Sequence, residues 1–192
     1  MLKNIKGKAM RSLLLASLCT VSIFAADTNL YNHSVSVGTG YTINSNETGM
    51  DNDENIAIRY NYNRATIEGS AEIDAIQVAF DYSNDTPYNN PAEGIIDAKS
   101  STYRLGANAI WYIENDSDFT PFALAGLGIQ GFSESTTKDS DSTLFGALGG
   151  GVEYQIRGDV SIVAEGKALM SKQDSYNVMG NAAIKYSFGQ DY

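Results

Sequence analysis

Six charged residues define the chemistry open to this chain: Arg59, Arg104, Glu153, Glu165, Lys167 and Lys185. Each occupies the polar parity of a segment whose alternate positions are apolar or small; Arg59, for example, is interleaved with Ile56, Ile58, Tyr60 and Tyr62. Side chains along a strand alternate between two faces, so residues of one parity gather on one side. A charge withdrawn from water must be paired or hydrated, or it titrates to neutrality. Two uses follow. The set forms a structural network of ion pairs and water that plugs a narrow lumen, or it lines a conducting path with a gated plug. Glu68, Glu72 and Asp74 join the set if the segment that holds them begins early.

Other chemistries are poorly supported. Nucleophilic hydrolysis needs a His close to a Ser and an acid. His33 is the sole histidine, its neighbour Ser34 reads as an ordinary polar-face residue, and no G-x-S-x-G segment occurs. No ligand-spaced partners accompany His33, and Asp51-Asn52-Asp53-Glu54 is an incomplete calcium loop. The GLG and GGG strings are not phosphate loops, because no helix follows and no Lys-Ser/Thr pair completes them. The expectation is a non-enzyme with no catalytic residue, cofactor or metal.

The elements that must position these charges are strands. In the segment His33 to Ile43, Val35, Val37, Tyr41 and Ile43 share one face with Thr39, while Ser34, Ser36, Gly38, Gly40 and Thr42 share the other. An apolar outside and a polar inside, repeated around a chain, suit a closed barrel in lipid. Strands are expected at 32–43, 55–63, 99–113, 119–132, 143–156, 160–170 and 176–188. The third of the eight strands has two readings. Ile67, Ala71 and Ile73 are odd-numbered, whereas Ile76, Val78, Phe80 and Tyr82 are even-numbered. Either a β-bulge reverses the facing near Asp74, or 66–74 is a longer periplasmic turn and the strand starts near Ala75. Residues 83–98 read as the longest loop.

The fold class is therefore all-β: an eight-stranded antiparallel up-and-down barrel whose connections alternate long and short. Two aromatic girdles are expected at the headgroup levels. Tyr31, Tyr60, Tyr62, Trp111, Phe119, Tyr154, Tyr186 and Phe188 mark the periplasmic end; Tyr41, Phe80, Tyr82, Tyr103, Phe145 and Tyr176 mark the outer end. The inward glycines Gly38, Gly40, Gly106, Gly126, Gly128, Gly149 and Gly151 either relieve crowding by bulky neighbours or leave room for water.

Residues 1–25 read as a cleaved secretory signal, with Lys3, Lys6, Lys8 and Arg11 before the apolar stretch Leu13 to Phe24 and small residues at Ala25 and Ala26. Cys19, the only cysteine, lies within it, and Leu18 before it argues against lipidation. The barrel domain is expected over 26–192. Four of the 13 basic residues and none of the 23 acidic ones fall in the signal, so the mature chain carries 9 against 23, a net charge near −14. That balance opposes nucleic acid, whose binding depends on phosphate neutralisation. A mean hydropathy of −0.23 is compatible with a barrel, in which only alternate residues meet lipid. The outer loops hold Asp51, Asp53, Glu54, Asp85, Glu93, Asp97, Glu134, Asp139 and Asp141. These read as solvated tips, or as a surface that shares divalent cations with lipopolysaccharide or contacts a surface ligand.

The segments FTPFALAGLGIQGF at 119–132, GALGGGVEYQI at 146–156, VSIVAEGKALM at 160–170 and NAAIKYSF at 181–188 resemble the small outer-membrane β-barrel family typified by the OmpA and OmpX barrels. The resemblance implies residence in the outer membrane of a diderm bacterium, contact with its lipid and lipopolysaccharide, and insertion by the barrel-assembly machinery. Asn181, Ala183, Tyr186 and Phe188 resemble the C-terminal signal which that machinery reads. The family usually has Gly where Ala183 stands and ends on the aromatic, so Tyr192 is a second candidate for the terminal aromatic. No peptidoglycan-binding segment follows the barrel in this sequence. A structural or surface-interaction role is implied, with a narrow channel for ions or small solutes as the alternative and a lipid-modifying enzyme behind it.

Overall fold

The computed structural model describes residues 31–44, 52–63, 73–90, 95–113, 115–134, 140–171 and 176–189. The expected signal, Glu68, Glu72, Tyr192 and most loop tips lie outside these residues. Eight strands follow one another: β1 (His33–Asn44), β2 (Asp53–Tyr62), β3 (Ala75–Asn90), β4 (Ile95–Tyr112), β5 (Phe119–Glu134), β6 (Ser140–Arg157), β7 (Val160–Ser171) and β8 (Tyr176–Phe188). Each pairs antiparallel with its neighbours in sequence, and β1 pairs with β8 to close the barrel.

Alternation in the sequence becomes two surfaces. On β2, Asn55, Ala57, Arg59 and Asn61 are buried while Ile56, Ile58, Tyr60 and Tyr62 are exposed. Among the described residues, 24 buried side chains are polar or charged against 10 apolar ones, so the interior is not an oily core. Large apolar side chains cover the outside instead, including Leu127, Leu144, Leu148 and Ile184. So much exposed apolar surface is stable only against hydrocarbon.

Register fixes the size of the barrel. The hydrogen-bonded path from Ser34 runs through Asn61, Gln77, Asn108, Gly126, Ala147, Leu169 and Asn177, and returns to β1 at Asn44, ten residues further on. Eight strands with that stagger tilt by about 41° and enclose a backbone radius of about 8 Å, given the usual strand rise and spacing. Such a lumen admits side chains and little else.

One choice that the sequence left open is decided, and other expectations need correction. The third strand begins at Ala75, and no bulge reverses it near Asp74. Asp74 instead accepts the backbone N–H of Tyr112 at 2.6 Å, and its own N–H bonds to Ile110 O, so it caps β4 and does not face the lumen. The region read as the longest loop is mostly strand. β3 runs to Asn90 and β4 starts at Ile95, with register shifts between Ser83 and Thr86 and between Tyr88 and Asn90. The long-short pattern therefore fails here: residues 63–74 make a long periplasmic link, and residues 91–94 a short outer one.

Phe145 is a further correction. It points inward, 7% exposed, and packs with Ala147, Leu169 and Met179 rather than joining a girdle. The other described girdle rings face outward or lie at the rim, but Phe80 pairs with Ile58 and so stands below the outer level of Tyr82, Tyr103 and Tyr176. His33 stacks between Tyr60 and Phe188, and Phe119 lies 4.8 Å from Tyr154.

Lipid contact predicts a depth dependence. Ile58→Lys, near mid-membrane, will lower the stability of the barrel in vesicles by about 2–4 kcal/mol, and Ile43→Lys, near the outer rim, by under about 1 kcal/mol. Urea unfolding in phospholipid vesicles measures both.

Candidate functional site

All six of the charged residues singled out by parity face the lumen and are buried. A seventh, Asp81, completes them. The even-numbered run Ile76, Val78, Phe80 and Tyr82 faces outward, so the parity that would have found Asp81 was already in the sequence.

Four of these residues form a ring across the barrel. Arg59 Nη2 donates to Asp81 Oδ1 at 2.7 Å and to Glu165 Oε1 at 3.3 Å. Lys167 Nζ donates to Asp81 Oδ2 at 3.1 Å and approaches Glu165 Oε1 at 3.4 Å. The second Arg59 nitrogen, Nη1, donates to the carbonyls of Ile58 and Phe80. Two cations and two carboxylates from β2, β3 and β7 thus neutralise one another and tie opposite walls together. The geometry meets the condition for a tolerable buried ion pair, namely close contacts with further hydrogen bonds at the polar atoms.

A second pair lies nearer the periplasmic end. Lys185 Nζ donates to Glu153 Oε2 at 2.6 Å and stands 5.7 Å from the centroid of the Tyr112 ring. Tyr112 was not anticipated, although the outward Trp111 beside it sets its parity. Arg104 is the remaining cation. Its Nε donates to Gln130 Oε1 at 3.3 Å, and its Nη1 has no hydrogen-bond partner among the described residues.

Apolar groups fill what the charges leave. Ala75, Ile110, Phe122 and Leu124 cluster on the β3–β5 wall toward the periplasmic end; the Phe145 cluster occupies the β6–β8 wall toward the outer end. Glycines make this packing feasible. A Cβ on Gly128 would collide with the Phe145 ring, and one on Gly151 would lie 2.6 Å from Phe122 Cζ. At these positions the crowding explanation holds. Gly38 pairs with Ala183, whose Cβ would be 2.6 Å from a Cβ at residue 38.

His33 and Ser34 lie on opposite faces. The His33 Nδ1 is 2.8 Å from the Tyr60 hydroxyl on the outside, while the Ser34 hydroxyl accepts the Asn61 amide at 3.2 Å inside. They do not form a nucleophile–base pair. On the terminal strand Asn181 and Ala183 face inward, and Tyr186 and Phe188 face outward, their rings 6.2 Å apart.

Breaking the pairs has an unequal cost. Lys185→Met strands Glu153 and will destabilise the barrel by about 3–5 kcal/mol, whereas the double replacement Glu153→Met with Lys185→Met will cost less than either single change. Asp81→Asn will cost more than Glu165→Gln, since Asp81 gives a separate oxygen to each cation at shorter range. A double-mutant cycle by urea unfolding reads all of these.

The sequence matches the model of the outer membrane protein beta-barrel domain over residues 12–189. No curated protein matches it. Among solved structures, the barrel is similar to Neisserial surface protein A at 15% identity and a TM-score of 0.62, over 82% of this chain and 97% of that one. It is also similar to Ail, the attachment invasion locus protein of Yersinia pestis, at 19% identity and a TM-score of 0.52, over 81% of this chain and 97% of that one. These likenesses establish a shared fold, and the match over nearly the whole sequence establishes the family: the chain belongs to the outer membrane protein beta-barrel domain family and resides in the outer membrane of a Gram-negative bacterium.

Proposed function

We propose that this barrel serves a structural and surface-interaction role, with its lumen closed by its own side chains. The observation that carries the reading is the ring of Arg59, Asp81, Lys167 and Glu165. A solute crossing the lumen would have to separate charges already neutralised at 2.7–3.4 Å and strip its own water in doing so. The apolar clusters around Phe122 and Phe145 narrow the way further on either side.

The surface role rests on strand length. A tilted strand crosses the hydrocarbon in about 9–11 residues. β3 and β5 have 16 residues and β4 and β6 have 18, against 10–13 for the other four. The surplus raises two hairpins above the outer membrane surface. The sequence there is acidic, with Asp85, Glu93, Asp97, Glu134, Asp139 and Asp141. Such tips attract divalent cations, which in turn bridge to the phosphates of lipopolysaccharide or to an anionic surface ligand. Outward Tyr186 and Phe188 on the terminal strand present the signal taken up by the barrel-assembly machinery.

Planar-bilayer recording of the refolded protein tests the closed lumen. No steady conductance is expected; a steady conductance that changes on replacing Arg59 or Glu153 would establish the narrow channel instead. Shortening the β3–β4 and β5–β6 hairpins is expected to reduce adhesion or divalent-dependent envelope integrity while leaving barrel stability intact. Overproduction is expected to leave the lipid A mass spectrum unchanged, in keeping with the separation of His33 from Ser34.

A further inference from the structure

The outer rim of the barrel steps down on one side. β1 ends at Asn44 and β2 begins at Asp53, whereas β3 continues to Asn90. The β2–β3 ladder stops at the Ile56–Tyr82 pair, so Glu54 and Asn84, two residues nearer the rim on each strand, are not paired. An open groove of about 470 Å³ lies at this step. We propose that the groove binds a lipid whose head is an ethanolamine phosphate, with the primary ammonium at Glu54 and the phosphate at Asn84. The site is independent of whether the lumen conducts and of what the raised hairpins contact.

Six outward residues line the groove in two rows. Thr39, Ile56 and Tyr82 are partners across β1, β2 and β3 and form the deeper row. Tyr41, Glu54 and Asn84, two positions nearer the rim, form the upper one. The volume falls in the range of about 300–1,000 Å³ typical of small-molecule sites. Its level is that of the outer aromatic girdle, where an amphiphile keeps its head in water and its chains in hydrocarbon.

The two rows suit the two halves of such a molecule. In the deeper row the Thr39 hydroxyl donates to Asn55 O at 3.0 Å, so that Thr39 and Ile56 offer an acyl chain a largely apolar surface. In the upper row Glu54 supplies a carboxylate, which forms a charge-assisted hydrogen bond with an ammonium. The Tyr41 and Tyr82 rings flank that position, and an ammonium is attracted to the face of a phenol ring. Asn84 Oδ1 accepts the hydroxyls of Tyr82 at 3.3 Å and Ser101 at 2.8 Å, which leaves the Nδ2 hydrogens for a phosphate oxygen. Charge narrows the choice of lipid. The charged residues lining the groove, Asp53 and Glu54, are both acidic. A head with net negative charge is repelled there, and one that presents a cation beside its phosphate is accepted.

The test uses the whole barrel refolded in micelles of an uncharged detergent, with ¹³C-labelled tyrosine rings and dihexanoyl phosphatidylethanolamine as the probe. Saturable shifts of the Tyr41 and Tyr82 rings are expected, with Tyr176, a girdle ring outside the groove, unmoved. Two comparison lipids lack the ammonium: the N-acetylated form of the probe and dihexanoyl phosphatidylglycerol. Neither is expected to give a saturable shift. Glu54→Gln is expected to weaken binding of the ethanolamine lipid about tenfold, the loss of one charged hydrogen bond. Its urea midpoint of unfolding is expected to stay unchanged, because Glu54 is exposed. Absence of a saturable shift with the ethanolamine lipid would overturn the proposal. So would equal shifts with all three lipids, which mark general partition into the girdle, or undiminished binding by Glu54→Gln.

Discussion

In hydrocarbon a backbone N–H or C=O has no water to turn to, and this constraint governs everything else in the molecule. A sheet survives there only by leaving no edge. β1 meets the requirement by pairing with β2 on one side and β8 on the other, the latter along its whole length from His33 with Phe188 to Asn44 with Asn177. Closure also fixes the stagger. Once Ser34 connects round the barrel to Asn44, tilt and radius follow, and the lumen is too narrow for anything but side chains.

The contents of the lumen follow from that narrowness. Each inward residue must fit its neighbours on other walls as well as those on its own strand. Phe145 reaches across to the β4–β5 wall because Gly106 and Gly128 leave the space there. The stem of Lys167, which reaches Asp81 on β3, starts against Gly149 on β6, where an added Cβ would lie 2.7 Å from the Lys167 Cβ. Charges and small residues are thus two halves of one arrangement. The long cationic stems bridge the lumen, and the glycines give them passage.

The alternation from Ile56 to Tyr62 and from Val160 to Met170 was enough to read the strands, their number and which charges face inward. Strand facing is a local property of period two, so one sequence suffices to see it. What escaped the reading is non-local. Phe145 has the composition of a girdle residue, and its inward position follows from the parity of Ala147 and Gly149, which the aromatic itself masks. Asp81 carried the correct parity, yet its role as the shared acceptor for Arg59 and Lys167 depends on three strands far apart in sequence. Residues 83–98 read as loop because Asn, Asp and Pro are turn residues, but a hairpin standing above the membrane need not be apolar on either face. The girdle and lumen patterns end at the headgroups, and the sequence signal ends with them.

A charged lumen raises the question of why an oily one would not serve better, since well-packed apolar residues generally equal or exceed a buried ion pair in stability. The answer lies in the route to the membrane. A barrel apolar inside and out would be built from strands of continuous apolar sequence, and β3 through β6, at 16–18 residues, would approach the length recognised as a transmembrane helix. Such segments would lodge in the inner membrane during export. Asp81, Arg104 and Glu153 interrupt such a run in β3, β4 and β6; Thr120, Gly126, Gly128 and Gln130 do so in β5, and the mean hydropathy of −0.23 reflects it. The charges then need partners once the barrel closes, and the ring and the Lys185–Glu153 pair supply them. The polarity that keeps the chain exportable is thereby neutralised within the folded barrel, so the paired charges of the lumen follow from the export route and require no separate selection.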